Sequence, residues 1–248
     1  MDYLAKTYAR MARDLDPPDD YFETDSRFMT LERLLRAIPR GKMCDMGCGR
    51  GALMQRLRNH HEVFGCDYEV TAVEACAARG LTAAHVDLNS VDSLPFQEKF
   101  DVIVLSEVCE HLLDPRNAVR VARRALLPQG ILIVTVPNAV PLFARIAIPL
   151  GRTVGWLHYP SQDTADTGHI RFYTIGSMSH LLREEGFRVN EVRGVSFRMN
   201  GRFWARFCFW IARFFMTKGK SASTELDAWL GKKMPGISPG LLFICRAA

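Results

Sequence analysis

The sequence predicts an α/β fold, a doubly wound, mostly parallel, seven-stranded sheet with helical insertions. Three observations predict it. Short apolar runs alternate with segments of helical spacing from residue 42 to residue 136, the pattern of strand–helix–strand crossovers. Two of those runs, FDVIVLS at 100–106 and ILIVTV at 131–136, are apolar almost without interruption, as strands covered on both faces are. One strand-like segment passes through the turn Gly47-Cys48-Gly49-Arg50-Gly51 directly into a helical one.

The elements follow in order. Residues 1–41 form a helical N-terminal cap, interrupted by Asp16-Pro17-Pro18-Asp19-Asp20, with apolar residues at helical spacing from Phe28 to Leu35. The core at 42–136 then reads as strand Lys42–Met46, helix Ala52–Asn59, strand Glu62–Cys66, helix Val70–Arg79 and strand Ala83–Val86. Strand Phe100–Ser106, helix Pro115–Leu127 and strand Ile131–Val136 follow, with Pro128-Gln129-Gly130 as the helix stop. A helix at Gly176–Gly186, a strand at Arg188–Val192 and a closing strand at Leu241–Cys245 complete one domain over 1–248. Two stretches break the alternation, 138–170 and 196–239. Connections that long inside a compact domain carry a job of their own, and both are expected to face the substrate or a membrane.

Composition narrows the function. The chain has 248 residues, 24% charged, and a formal net charge of +5. The excess is local: six basic residues and no acid lie between Ser196 and Lys220, so the rest is close to neutral. A whole-chain basic pI therefore says little about nucleic acid, and nucleic acid is not an expected partner. The polar start, MDYLAKTYAR, has no apolar signal core. Seven cysteines with no C-x-x-C pair read as reduced thiols of a cytoplasmic protein. Cys44 and Cys48 have no second ligand pair at zinc spacing, and no residue is assigned to a metal on that ground.

The chemistry lies in Asp45-Met46-Gly47-Cys48-Gly49-Arg50-Gly51. Glycines let the backbone bend and approach a ligand closely. The spacing is neither the Gly-x-Gly-x-x-Gly of dinucleotide binders nor a P-loop. A carboxylate just ahead of the glycines repels a pyrophosphate but suits an ammonium group. Asp67 ends the next strand, where a ribose diol is held by paired hydrogen bonds. Asp87 follows the third strand and suits an exocyclic adenine amine. Amine, ribose and adenine together describe S-adenosylmethionine.

These segments, DMGCGRG at 45–51, GCD at 65–67, VDLNSVDSLPF at 86–96, FDVIVLSEVCEHLLDP at 100–115 and LLPQGILIVTVPN at 126–138, resemble the class I S-adenosylmethionine-dependent methyltransferases in order and spacing. The resemblance implies a Rossmann-like sheet and assigns roles by position. Asp45, Gly47, Cys48, Gly49 and Gly51 would form the loop at the methionine end. Asp67 would bind the ribose, Tyr68 would pack beside adenine, and Asp87 with Leu88 would hold the adenine edge. Ser106 and Glu107 would floor the methyl end, and His111 would be the general base. Glu107, Glu110 and His111 also share the spacing of one helix face and the pattern of quinone-biosynthesis O-methyltransferases, where it is linked to metal; the reading here keeps the metal as an alternative only. GHIRFYT at 168–174 is similar to a segment of small-molecule, lipid- and glycan-directed members, which implies that His169, Arg171 and Tyr173 face the acceptor.

Phe203–Met216, FWARFCFWIARFFM, places Arg202, Arg206 and Arg213 within about 40° on a helical wheel, a cationic stripe on an aromatic face. Such a helix suits the interface of an anionic membrane. Ala139–Trp156 is a second apolar stretch with arginines and no acid. The expected activity is therefore methyl transfer to a hydroxyl of a small, lipid-linked or saccharide acceptor, by a cytoplasmic protein peripheral to a membrane. A rival is a non-catalytic binder that keeps the fold to assemble a membrane complex. A nicotinamide oxidoreductase is disfavoured by the glycine spacing and by Asp45.

Overall fold

A computed structural model of the chain describes residues 26–151, 168–195 and 229–248. The sheet comprises β1 (Lys42–Met46), β2 (Glu62–Asp67), β3 (Thr82–His85), β4 (Phe100–Ser106), β5 (Leu126–Pro137), β6 (Phe187–Val195) and β7 (Gly240–Ala247). Their order across the sheet is β3-β2-β1-β4-β5-β7-β6. The first five strands pair in parallel, and β7 runs antiparallel to both β5 and β6. The helices are α1 (Ser26–Ala37), α2 (Ala52–Leu57), α3 (Val70–Ala78), α4 (Pro115–Ala125), α5 (Leu142–Ala147) and α6 (Ile175–Glu184).

Strand alternation sorts the core onto two faces. Met43, Val102, Val104, Ile133 and Leu242 point to one side and pack with Leu31, Leu35, Leu53 and Leu57 of α1 and α2. Cys44, Ile103, Leu105, Leu132, Val134 and Phe243 point to the other and pack with Ala118, Val119, Ala122, Met178 and Leu182 of α4 and α6. This is why β4 and β5 read as nearly unbroken apolar runs: residues 102–105 and 132–136 are buried whichever way they point. Phe100 and Phe243 are fully buried, each stabilising the fold by about 3 kcal/mol.

The order of strands creates the crevice. From β1 the chain steps outward to β2 and β3, then returns to place β4 on the opposite side of β1. Connections leaving β1 and β4 diverge, and the crevice opens at their carboxyl ends. Three contacts fix what surrounds it. Glu32 of α1 is held by Arg36 and by Arg56 of α2 at 2.9 and 2.6 Å. The buried His61 ring accepts from the Gly41 amide at 3.3 Å and meets the Leu35 carbonyl at 3.0 Å, pinning the end of α1 to the base of β1. Asp114 caps α4 by accepting from the Arg116 amide, with Pro115 at the first helical position.

The boundaries that depart furthest from the sequence expectation are those of β5, β6 and β7. β5 begins at Leu126, not Ile131, because Leu126 pairs with Phe100 ahead of a register shift that admits Pro128-Gln129-Gly130. β6 and β7 are longer than their apolar cores, since eight antiparallel pairs between Phe187–Val195 and Gly240–Ala247 satisfy backbone groups that charged residues had marked as loop. The stretch after β5 is tied to the turn Pro235–Ile237. The Asn138 side-chain amide donates to the carbonyls of Gly236 and Ser238, and the Arg145 guanidinium also donates to Gly236. Among the described residues no helix is long and apolar enough to cross a membrane. The basic aromatic segment Phe203–Met216 lies outside the described residues.

Candidate active site

The glycine loop joins β1 to α2. Gly47, Gly49 and Gly51 all have left-handed backbones, with φ of 86°, 51° and 80°. A side chain at Gly47 would collide with Val108, its Cβ falling 2.4 Å from Cγ2, so the loop rests against the segment after β4. A Cβ at Gly49 would meet nothing within 4 Å. The loop is held from beneath by β2: the Gly47 and Cys48 amides donate to the Cys66 carbonyl at 2.7 and 3.0 Å. Asp67 completes the cradle, its carboxylate accepting from the Gly49 amide at 2.8 Å and the Glu69 amide at 2.9 Å. Burial pushes the Asp67 carboxyl above the usual range, and these amides oppose that push.

Asp45 lies one residue inside the end of β1, and only 3% of it is exposed. Among the described residues no donor is hydrogen-bonded to its carboxylate. Burial first, then the neighbouring Asp67 and Cys76, pushes its pKa up to about 8. A buried carboxylate without a partner is costly, and a cationic ligand would relieve it. The open face of Gly49 and the acid behind it fit the methionine end of S-adenosylmethionine, whose ammonium would supply the missing charge.

Farther along, Tyr68 is exposed beside Asp67 with its ring 6.0 Å from that of His85. Asp87 turns inward on its own loop, accepting from Asn89 and Ser90. Leu88 is buried and its carbonyl accepts from the Asn117 side chain at 3.1 Å. Both residues shape the β3 end of the crevice; Asp87 can meet an adenine amine only with oxygen lone pairs that its turn leaves over.

At the end of β4, Ser106 Oγ donates to Thr135 Oγ1, which donates to Glu107 Oε1 at 3.0 Å. Glu107 has φ of 55°, the one non-glycine left-handed residue among those described, which marks a functional turn more often than a structural one. Its other carboxylate oxygen meets Arg27 Nη1 at 2.6 Å. Arg27 carries no signal in the sequence beyond its place at the start of an amphipathic segment, yet α1 brings this guanidinium across 80 residues of chain to the floor of the crevice.

His111 follows at the rim. Its Nδ1 lies 3.2 Å from the Gly168 carbonyl. Only a protonated Nδ1 can donate there, which leaves Nε2 as the basic nitrogen. The His169 ring lies 4.8 Å from that of His111, tilted by 55°, and its Nε2 is 3.9 Å from Glu110 Oε1. Glu110, His111 and His169 present ligand atoms all within 4.8 Å of one another. This group differs from the Glu107–Glu110–His111 set that the sequence spacing suggests, because Glu107 turns to Arg27 instead.

The segment 168–173 lies along the loop 109–113. The Ile170 and Arg171 amides donate to the Glu110 carbonyl. Arg171 donates through its guanidinium to the carbonyls of Leu112 and Leu113. Tyr173 is buried, donates to the Cys109 carbonyl at 3.1 Å and has its pKa raised, chiefly by burial. Of the three residues expected at the acceptor, His169 therefore reaches the site, while Arg171 and Tyr173 anchor the segment that carries it.

Comparison with known proteins agrees with this geometry. Residues 21–192 match the family described as methyltransferase domain. A ubiquinone biosynthesis O-methyltransferase of Parvibaculum lavamentivorans is 25% identical over 197 residues, covering 70% of this chain and 69% of that protein. One from Methylobacterium nodulans is 28% identical over 169 residues, covering 66% of each. The chain thus spans about two thirds of the length of these curated relatives. A solved methyltransferase of Thermotoga maritima, described as a possible histamine N-methyltransferase, superposes with a TM-score of 0.66 at 15% identity, covering 98% of this chain and 99% of that one. The N-methyltransferase NodS of Bradyrhizobium japonicum, solved with S-adenosyl-L-homocysteine, gives 0.57 at 19% identity, covering 97% and 98%. With the family match spanning most of the chain, the glycine cradle and the strand order have a single reading: the chain belongs to the methyltransferase-domain family and is a class I S-adenosylmethionine-dependent methyltransferase.

Proposed function

We propose that this methyltransferase acts on a hydroxyl of a small, lipid-linked or saccharide acceptor presented at a membrane surface. The observation that supports the oxygen assignment is His111, whose Nδ1 meets the Gly168 carbonyl, so that Nε2 is the ring nitrogen that can take a proton. A sulfonium methyl is already electrophilic, and S-adenosylmethionine supplies that methyl when bound. The protein's own work is alignment and proton removal. Gly49 leaves room for the methionine chain, Asp45 balances its ammonium, and Asp67 is placed for the ribose. Arg27 is the cation at this end and suits the methionine carboxylate. His111 takes the hydroxyl proton as the oxygen attacks, with the tilted His169 ring beside it. The names of the curated relatives favour oxygen over nitrogen as the nucleophile.

His111→Gln is expected to lower kcat by about 100-fold while leaving S-adenosylhomocysteine affinity within about twofold, measured by labelled-methyl transfer and by calorimetry. Equal loss of affinity would remove His111 from the proton role. The acceptor itself is found by incubating the enzyme and labelled cofactor with lipid and sugar-nucleotide extracts and identifying the labelled product by mass spectrometry. A label confined to amines would overturn the hydroxyl assignment.

Support for a membrane comes from the stretch after β5, where Leu142, Ile146, Ile148 and Leu150 are all exposed, and from the sequence of Phe203–Met216. The full chain is expected to float with anionic liposomes and not with neutral ones. Removal of 200–218 should abolish flotation; unchanged partitioning would sink that segment as the anchor.

A second reading is favoured by the cluster of Glu110, His111 and His169. A carboxylate and two imidazoles suit a divalent cation, which would polarise the acceptor oxygen. The readings separate cleanly: with a general base, a chelator leaves the rate unchanged, whereas a metal site loses it and regains it with magnesium or manganese.

A further inference from the structure

Beneath the cofactor loop lie two thiols that methyl transfer does not use. Cys48 is the residue between Gly47 and Gly49, and Cys76 lies in α3, which follows β2. Their sulfurs converge on one acceptor: Cys48 Sγ is 3.5 Å and Cys76 Sγ 3.4 Å from the Gly49 carbonyl oxygen. The two thiols also perturb each other, Cys48 lowering the pKa of Cys76 and Cys76 raising that of Cys48. Gly51 closes over them, since a Cβ there would fall 2.9 Å from Cys76 Sγ. Met54 and Leu81 complete an apolar wall around the pair. We propose that Cys48 and Cys76 form a reversible disulfide under hydroperoxide, and that this bond closes the cofactor loop to S-adenosylmethionine. The consequence for binding rests on the cofactor-site reading above; formation of the bond does not.

The chemistry balances with a hydroperoxide as oxidant. Cys48 lowers the Cys76 pKa, which makes Cys76 the attacking thiolate. Its sulfur attacks a peroxide oxygen, the O–O bond breaks, and the other oxygen leaves, once protonated, as water from hydrogen peroxide or as an alcohol from an organic hydroperoxide, so that Cys76 becomes a sulfenic acid. The Cys48 sulfur then displaces that oxygen: the S–S bond forms, the S–O bond breaks, and the Cys48 proton leaves with hydroxide as water. The two thiols lose two electrons and the peroxide gains them. Bonded sulfurs stand about 2.05 Å apart, so Cys48 is drawn toward α3. Both S–H donors on the Gly49 carbonyl are lost. The displacement passes directly to Gly49, whose amide is held by Asp67, and to Gly51.

A competing pair lies nearby. Cys44 and Cys66 also lie close together, but both are wholly buried in neighbouring strands whose ladder fixes their separation. Cys76 is wholly buried too, but its partner Cys48 sits on a loop at the crevice and is 7% exposed, which opens the pair to a small oxidant and lets it close.

The test treats the full-length protein with hydrogen peroxide, alkylates remaining thiols and maps tryptic peptides without reductant. Residues 43–50 carry Cys44 and Cys48, and residues 59–79 carry Cys66 and Cys76, so both pairs would link the same two peptides. Fragmentation of the wild-type link assigns the sulfurs without any variant. Cys44→Ser and Cys76→Ser check the assignment. The expected link joins 48 to 76, persists in Cys44→Ser and is lost in Cys76→Ser. Saturating S-adenosylhomocysteine should slow its formation. Calorimetry should show affinity for S-adenosylhomocysteine weakened by about tenfold or more in the oxidised protein, restored by dithiothreitol, and insensitive to peroxide in Cys76→Ser. A link at Cys44–Cys66, no link, or a Cys48–Cys76 link with unchanged affinity would overturn the proposal. Failure of the reduced wild-type protein to bind S-adenosylhomocysteine would instead overturn the cofactor-site reading.

Discussion

Asp45→Asn is expected to weaken S-adenosylhomocysteine binding by about 10- to 100-fold, the range for one charge-assisted hydrogen bond, and at the same time to stabilise the ligand-free protein above neutral pH. The two effects share a cause. Asp45 is buried with no donor among the described residues, and its pKa is raised from 3.8 to about 8. The folded protein thus holds a proton that the unfolded chain gives up near 3.8. Stability is therefore undiminished below pH 3.8, falls as pH rises from there, and levels off above about 8. The full penalty is of order 5 kcal/mol, and an amide at this position does not incur it. Thermal unfolding of the ligand-free wild type should show Tm falling between pH 5 and 9, with the Asp45→Asn difference growing over that interval as the asparagine variant escapes the penalty. The ligand ammonium restores the balance by favouring the ionised acid. Wild-type affinity should consequently tighten from pH 6 to pH 8, and the Asp45→Asn variant should lose that dependence. A variant that binds as tightly as wild type, or a wild-type Tm that rises over the same interval, would refute this role.

The second large effect separates two glycines of the same loop. Gly47→Ala meets both a left-handed φ of 86° and a collision 2.4 Å from Val108, so a loss of about 3 kcal/mol or more is expected. Gly49→Ala has a left-handed φ of 51° but open space around the new methyl. Its strain is about 1 to 2 kcal/mol, lowering Tm by only a few degrees, about 2–4 °C per kcal/mol in a chain of this length. Its methyl nevertheless occupies the side from which the methionine chain approaches. Gly49→Ala should therefore remain folded by circular dichroism and lose most cofactor binding by calorimetry, whereas Gly47→Ala loses stability first. If Gly49→Ala binds normally, the open face of the loop is not where the cofactor lies.

The strands and the cofactor residues were legible because both depend on short-range pattern. FDVIVLS needs only to be apolar on both faces to be read as a buried strand, and three glycines between a strand and a helix need only their spacing to be read as a ligand turn. Asp67 was legible for the same reason, standing at the end of a strand. Arg171 was not. A guanidinium in a segment that resembles an acceptor-facing one reads as a substrate contact until the carbonyls of Leu112 and Leu113 are seen to receive it. Arg27 was not legible either, since its partner lies 80 residues away. Glu107 could be placed near the methyl end, but nothing local announced that it would turn left-handed to meet that arginine.

Sequence by itself determined the class of fold, the cofactor and the glycine turn between β1 and α2, because hydrophobic period, glycine spacing and strand-end carboxylates are properties of neighbouring residues. Only the tertiary structure decided that β7 enters the sheet antiparallel, that His169 joins Glu110 and His111 while Glu107 leaves them, and that Cys48 and Cys76 share one carbonyl. Each of these is a pairing between segments far apart in the chain. Its outcome depends on which distant donor or apolar face arrives first at a given distance and geometry, and no local pattern encodes that.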